Sequence, residues 1–485
     1  MLIIGILFIL LLIGSKILFS IYINRIIIYL IGYLLINITI LINISNIIRN
    51  ILINNNLYFI SNLLLFIKIL LYLCAFLINF IGEIKNKKGN ILKSSEYNLL
   101  TFLSLLGMII LIESYDLISI FLSIELISFP LYILSSLFNY NTSGLGINKD
   151  SQSGIKAGLK YLLLGSFTST LLLGGLVIIY GSLGLTNLNE IEILINIVIL
   201  KDNINKEYLF SSIIPYIILG YIFILSGLLF KIGSVPFHNW GPDVYDGVPT
   251  IVTSWISILP KISFITIIST FFNKIFKNIP NSNKVFSFSS ICSLIIGSIL
   301  GLIQYRIKRL LSYSSITQIG YILLIYSIIK LSNIKYIFFY LVQYSLTSVC
   351  IFLILMSLNK YNLIEVLGQL KNLYFSIPLL SFSLTICLFS FMGVPPFIGF
   401  FGKLNILYQS IYFGYYFLAL IAVLTSIISA GYYLRIIKIS NFDFTFIKSI
   451  FNMINTYIIG NISINHFIAI LTTFISFYIL IFDIN

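Results

Sequence analysis

Apolar runs long enough to cross a bilayer follow one another along this chain, and a few carry a single charge deep inside. A spanning helix needs about 20 mostly apolar residues. Stretches such as SIFLSIELISFPLYIL, GYIFILSGLLFKIGSVPFH, TSWISILPKISFITII and GVPPFIGFFGKLNILY place Glu125, Lys231, Lys261 and Lys403 in membrane-type sequence, and LLLFIKILLYLC does the same for Lys68. A charge at the bilayer centre costs roughly 2.5–3.5 kcal/mol on insertion scales, so such residues face a bundle interior and mark ion or proton pathways by default.

Composition excludes a soluble enzyme. The 485 residues are 59% hydrophobic and 9% charged, with a mean hydropathy of +1.06, whereas soluble domains carry about 25% charge. The expected fold class is an all-α polytopic membrane protein of about fourteen helices. The first two are placed at 2–20 and 26–47, the third at 57–82, and two late ones at 377–403 and 408–434. A net charge of +14 is read as membrane orientation rather than nucleic-acid binding. Most loop Lys and Arg fall in the odd-numbered loops, among them Lys85, Lys87, Lys88, Lys93, Arg306, Lys308 and Arg309. That bias puts the odd loops on the matrix side and both termini on the intermembrane-space side; Lys274, Lys277 and Lys284 run against it. The N-terminus, MLIIGILFILLLIGSKILFS, lacks a basic n-region and a small-residue cleavage site, so it reads as a first span rather than a targeting peptide. Abundant Ile, Phe, Tyr, Asn and Lys, all with AT-rich codons, suggest an AT-rich organellar genome.

No cofactor is expected. Cys74, Cys292, Cys350 and Cys387 stand alone in apolar runs and read as small buried hydrophobes, since iron–sulfur and zinc sites need clustered thiolates. His238 and His466 are too few and too far apart to hold haem.

Two segments echo each other: LLFKIGSVPFHNW at 228–240 and LFSFMGVPPFIGFFGK at 388–403. Each sets Gly and Pro inside an apolar span beside a lysine. Proline removes a backbone donor and glycine lets the chain turn, so both spans should be interrupted. Their spacing suggests a repeat of about five helices, inverted because five is odd, with ion sites at the paired breaks. The expected organisation is N-terminal helices at 1–95, repeats at 96–273 and 274–438, and a loop and last helix at 439–485.

Within this frame Glu125 and Lys231 should approach within direct or single-water reach, because a lone buried carboxylate costs far more than a paired one. Lys261, after Pro260, lies too deep to snorkel and reads as a relay, and Lys403 sits just past the second break. Proton transfer or gating is the role considered for His238, close in sequence to Lys231. Lys68 reads as a buried ion pair or a snorkelling side chain; Glu113 and Asp116 read as turn or interface residues.

The run FHNWGPDVYDGVPTIVTSWISILPKIS, 237–263, resembles the subunit 2 family of respiratory complex I. The Pro-Phe-His-x-Trp-x-Pro-Asp-Val-Tyr-Asp-Gly-x-Pro-Thr pattern runs from Pro236 to Thr250 and is followed by Pro260-Lys261. SYDLISIFLSIELISFPLYIL with Glu125, QYRIKRLLSYSSITQIGYIL at 304–323 and GVPPFIGFFGK at 393–403 add to the resemblance. Asp243-Val244-Tyr245 and Lys403 are the subunit 2 forms. Gln318 departs from the family, where many relatives carry His, and cannot itself take up a proton.

The resemblance implies an antiporter-like membrane-arm subunit of NADH:ubiquinone oxidoreductase in the mitochondrial inner membrane. It would hold no redox centre, lie among lipids and be an obligate partner of the other membrane-arm subunits. Glu125–Lys231 would be the input pair, Lys261 the central relay and Lys403 the exit or onward-coupling residue. Two other readings share the fold: a cation/proton antiporter subunit, and a scaffold subunit that moves no protons.

Overall fold

The computed structural model describes residues 51–53, 58–60, 62–85, 95–136, 149–205, 208–275, 282–328, 334–358, 365–443 and 462–476. The spans expected at 2–20 and 26–47 lie outside them. Strands β1 (Ile51–Ile53) and β2 (Tyr58–Ile60) pair antiparallel, and every other element named below is helical. The span expected from residue 57 therefore starts later, as α1 (Asn62–Lys85).

Next come α2 (Ser95–Glu113), α3 (Leu117–Ser136), α4 (Lys149–Leu183), α5 (Leu188–Asn205), α6 (Tyr208–Ile232), α7 (Trp240–Gly247) and α8 (Thr250–Lys274). Further along lie α9 (Ser282–Ile303), α10 (Ile307–Ser327) and α11 (Ile334–Leu358). After a 3-10 turn at Leu367–Leu370, the chain ends in α12 (Leu373–Ser376), α13 (Pro378–Met392), α14 (Ile398–Tyr412), α15 (Tyr416–Asn441) and α16 (Ile462–Ser476). Seven of these, α3, α4, α6, α8, α9, α11 and α15, are long and apolar enough to span a membrane. Isoleucine-rich helices would be poor in water, but in lipid a helix satisfies every backbone group within itself. Hydroxyls follow the same rule by donating to the carbonyl one turn back, as Ser263 does to Pro260 (2.9 Å) and Ser123 to Ile120 (2.8 Å).

Helix α5 was not expected. Glu190, Glu192, Lys201 and Asp202 make its sequence read as a loop. It is anchored where Leu188 N–H donates to the Tyr115 carbonyl and Leu117 N–H to that of Thr186, both 3.0 Å. Asp116 accepts from Ile118 N–H (3.2 Å) and Asn187 from Asn189 N–H (3.0 Å), so each side chain caps the helix that follows it. The turn role read for Asp116 is what its side chain does.

The chain divides into two compact units. One comprises Met1–Leu73, Asn86–Lys231 and Leu259–Ile279; the other comprises Cys74–Lys85, Ile232–Ile258 and Pro280–Asn485. In the first unit, α3 packs between α2 and α4. Helices α4 and α6 meet where side chains are absent: a Cβ on Gly175 would lie 2.7 Å from the Gly220 carbonyl oxygen, and one on Gly220 3.0 Å from that of Gly175. Small residues let membrane helices approach backbone to backbone, where dispersion and packing hold them. In the second unit, α10 is buried on all sides and packs on α7, α9 and α14.

A valine at Gly220 should wedge α4 from α6 and cost about 1–3 kcal/mol, the usual penalty for overpacking. The check is the amount of membrane-inserted, protease-resistant protein. Wild-type amounts in Gly220→Val would show that this close approach does not hold the unit.

Candidate functional site

Both Gly/Pro segments interrupt their helices. Helix α6 ends at Ile232, one residue after Lys231, and the chain passes through Gly233 (φ 81°) and a cis Val235–Pro236 bond before α7. Helix α13 ends at Met392, Gly393 turns the chain at φ 84°, and α14 starts after a cis Pro395–Pro396 bond. The span expected at 377–403 is thus two helices, and the second runs on to Tyr412.

Lys403, in α14, is 6% exposed. It reaches back across the break to donate to the carbonyls of Phe391 (2.7 Å) and Met392 (2.8 Å). These are among the carbonyls a helix end leaves without partners, and a cation there also suits the helix dipole. Gly393 makes the reach possible: a Cβ there would stand 2.9 Å from the lysine's Cδ. The ammonium also sits 5.2 Å from the Tyr321 ring centroid. Nearby, Tyr340 donates a hydroxyl bond to Gln318. Tyr321 donates to the Ala422 carbonyl (3.0 Å) and Tyr344 to that of Ser257 (3.2 Å). Gln318 thus works as a buried acceptor within a tyrosine cluster. Gln343, fully buried, lies where a side chain on Gly402 would otherwise stand, and a Cβ on Gly399 would meet the Ser390 carbonyl.

Lys231, 3% exposed, closes α6. Of the direct or single-water reach expected toward Glu125, the direct form is not made, with no ion pair within 4.0 Å. Instead Lys231 Nζ donates to the Tyr132 hydroxyl at 2.9 Å, while Ser128 Oγ donates to Glu125 Oε2 at 3.0 Å. Glu125, Ser128 and Tyr132 all lie on α3, three and four residues apart, and so share one face. Ser128 and Tyr132 were missed in the sequence, where serine and tyrosine are common; their spacing from Glu125 was the available signal.

Lys261 is 3% exposed in α8, directly after Pro260. His238 lies half-buried in the linker to α7, where its carbonyl accepts from Gly241 N–H (3.0 Å). Lys68 on α1 and Glu113 at the end of α2 form an ion pair, with the lysine side chain 6% and the glutamate 21% exposed. The buried-pair reading of Lys68 is the one its geometry supports.

Basic residues of the 304–323 motif clamp the short helix α7. Arg306 Nη1 lies 2.5 Å from Asp246 Oδ2, Arg309 Nε 3.0 Å from the same oxygen, and Arg309 Nη2 3.3 Å from Asp243 Oδ1. Lys308 donates to the Val248 carbonyl at 2.6 Å. Hydrogen bonding and charge from Asp246 hold the Arg306 guanidinium above its ordinary value. The two motifs quoted from sequence are therefore two halves of one contact, and part of the basic loop charge is spent on it.

Two substitutions separate structural from functional charge. Glu113→Gln should leave Lys68 buried without its counter-charge and lower stability by up to roughly 3 kcal/mol, the low end for a buried pair because Glu113 keeps some exposure. A Lys68→Met, Glu113→Leu double change should recover most of that loss. Thermal inactivation of the purified protein reads both; a stable Glu113→Gln single variant would contradict the assignment.

Residues 114–429 match the family described as NADH:quinone oxidoreductase/Mrp antiporter, TM. Among curated proteins, NADH-ubiquinone oxidoreductase chain 2 of Rhizopus oryzae is 43% identical over 369 residues, 74% of this chain and 66% of that protein. Chain 2 of Marchantia polymorpha is 39% identical, covering 73% of this chain and 68% of its own. NADH-quinone oxidoreductase subunit N of Paramagnetospirillum magneticum is 35% identical, covering 72% and 68%. The chain spans about two thirds of the length of these relatives. In fold it is similar to a chain of Thermus thermophilus respiratory complex I, with a TM-score of 0.75 at 23% identity over 98% of this chain and 95% of that one. A chain of an archaeal membrane-bound sulfane sulfur reductase gives 0.81 at 21% identity over 99% and 93%. The chain belongs to the NADH:quinone oxidoreductase/Mrp antiporter transmembrane family, with NADH-ubiquinone oxidoreductase chain 2 and NADH-quinone oxidoreductase subunit N proteins as its curated relatives.

Proposed function

We propose that this chain is a proton-translocating membrane-arm subunit of an NADH:ubiquinone oxidoreductase, working in the mitochondrial inner membrane among obligate partner subunits and lipids. The observation that carries this reading is the pair of interrupted helices, each with a buried lysine at its break. Lipid cannot satisfy an opened backbone, and a buried ammonium is costly, so a chain that keeps both twice uses them. The full architecture in this reading is about fourteen spans, with inverted repeats at 96–273 and 274–438 and both termini on the intermembrane-space side. The chain holds no redox cofactor; oxidation of NADH and reduction of quinone take place elsewhere in the complex.

Each residue's part follows from its chemistry. Glu125 accepts a proton when the arm delivers a charge, and Lys231 answers by losing or gaining one. Lys261 passes the change along α8. Lys403 releases or transmits it at the second break, where it can exchange its carbonyl partners for a proton carrier. His238, in the linker after the first break, gates the step between Lys231 and Lys261. Neighbouring groups coupled in this way titrate together, so one protonation biases the next. A lysine suits this work because burial brings its proton exchange within reach.

The test is Lys261→Met. Methionine keeps length and apolar volume and suits a helix, so the assembled amount of complex should hold. Quinone-dependent NADH oxidation and coupled proton uptake should fall about 100-fold, within the range for loss of a proton-transfer group. Wild-type pumping in a fully assembled Lys261→Met complex would favour a scaffold that keeps the fold and moves no protons.

A further inference from the structure

Two hydroxyls stand between Lys231 and Glu125, one bonded to the lysine and the other to the carboxylate. Lys231 Nζ donates to the Tyr132 oxygen at 2.9 Å. The tyrosine's own O–H remains for Ser128, which lies four residues back on the same face of α3. Ser128 Oγ donates onward to Glu125 Oε2 at 3.0 Å. Ser128 is 2% and Tyr132 4% exposed, so neither hydroxyl is a surface group that found a partner by chance.

The surroundings are shaped to this row. Helical side chains lean toward the N-terminus of their helix, which carries the Tyr132 hydroxyl back over Ser128. The Tyr161 ring stands edge-on to that of Tyr132, with centroids 4.7 Å apart and planes at 88°. Opposite the hydroxyl, α4 has Gly165, and any side chain there would overlap the tyrosine oxygen. Ser128 can turn: besides the carboxylate it reaches the Glu125 backbone carbonyl at 3.2 Å. It therefore has a second acceptor whenever Glu125 is protonated.

We propose that Tyr132 and Ser128 form the proton path between Lys231 and Glu125, with Tyr132 the group that meets the lysine. The proposal rests on the relay reading above. The step balances. An N–H bond breaks at Lys231 as an O–H bond forms on Tyr132; the tyrosine proton moves to Ser128, and the serine proton to Glu125. Lysine ends as a neutral amine and the glutamate as a neutral carboxylic acid. Each hydroxyl gives one proton and takes one, so neither needs to carry charge in the product, and the reversed row carries the return. Packing alone would be met by phenylalanine at 132 and alanine at 128.

The experiment uses the assembled complex carrying Tyr132→Phe, Ser128→Ala, Ser128→Thr or, as the control for the relay itself, Lys261→Met. Tyr132→Phe keeps the ring and its place beside Tyr161 but lacks the O–H. Coupled turnover should fall about tenfold or more, as for loss of a proton-transfer group, with the assembled amount unchanged and the solvent deuterium isotope effect altered. Ser128→Ala should fall similarly, and Ser128→Thr, which keeps a hydroxyl, should recover; a packing role would not make that distinction. Wild-type turnover and isotope effect in Tyr132→Phe, beside an impaired Lys261→Met, would overturn the hydroxyl path and leave the relay reading standing. Wild-type behaviour in Lys261→Met as well would overturn both. Should Tyr132→Phe fail to assemble, Ser128→Ala decides, and unchanged coupling there overturns the path.

Discussion

The structure depends on one constraint: no backbone polar group can be left open where water is absent. Continuous helices meet it by themselves, which is why so Ile-rich a chain is helical almost throughout its described residues. The two breaks violate it locally, and the second shows the remedy. Lys403 lies against the carbonyls of Phe391 and Met392 that the break releases. The ammonium thereby gains two acceptors and the helix end gains its donor. One contact removes two costs, and it leaves a cation held by neutral carbonyls beside the Tyr321 ring, where a proton carrier can replace those carbonyls.

The first break is built differently. Its lysine precedes the interruption instead of following it, and its partner is a tyrosine hydroxyl on α3 rather than a helix end at the break. The echo between 228–240 and 388–403 in sequence is therefore an echo of backbone, not of lysine contacts. Around these breaks, other charges act as fasteners. Asp243 and Asp246 hold α7 through Arg306 and Arg309, Glu192 takes Lys274 at 2.7 Å, and Glu113 takes Lys68. Charge in this protein serves both to fix elements and, in the proposed relay, to move protons.

Much of this was legible in the sequence, for a physical reason. Hydropathy sums over twenty residues, so long spans such as α3, α8 and α11 stand out, and the Gly/Pro interruptions stand out within them. What failed was what depends on partners. α5 looked like a loop because what holds it comes from far along the chain: Glu192 takes Lys274, 82 residues away, and Leu188 N–H bonds the Tyr115 carbonyl. The boundary near 403–408 was misplaced because an apolar run does not show where a broken helix resumes. Lys68 was recognised as a charge out of place, but its partner, forty-odd residues away on α2, could not be named. Ser128 and Tyr132 were overlooked because residue type alone does not separate a bridging hydroxyl from the many that merely cap their own helix.

Lys231 is the residue on which the account turns most cleanly. Lys403 also closes a helix end, so its removal mixes structure with transport, whereas Lys231 gives up one hydroxyl contact. The most direct measurement is the number of protons moved per electron in assembled complex carrying Lys231→Met. The relay account predicts a lowered ratio, or coupled turnover too slow to sustain one, with normal assembly. An unchanged ratio at an unchanged rate would contradict it and leave these buried charges as parts of a scaffold.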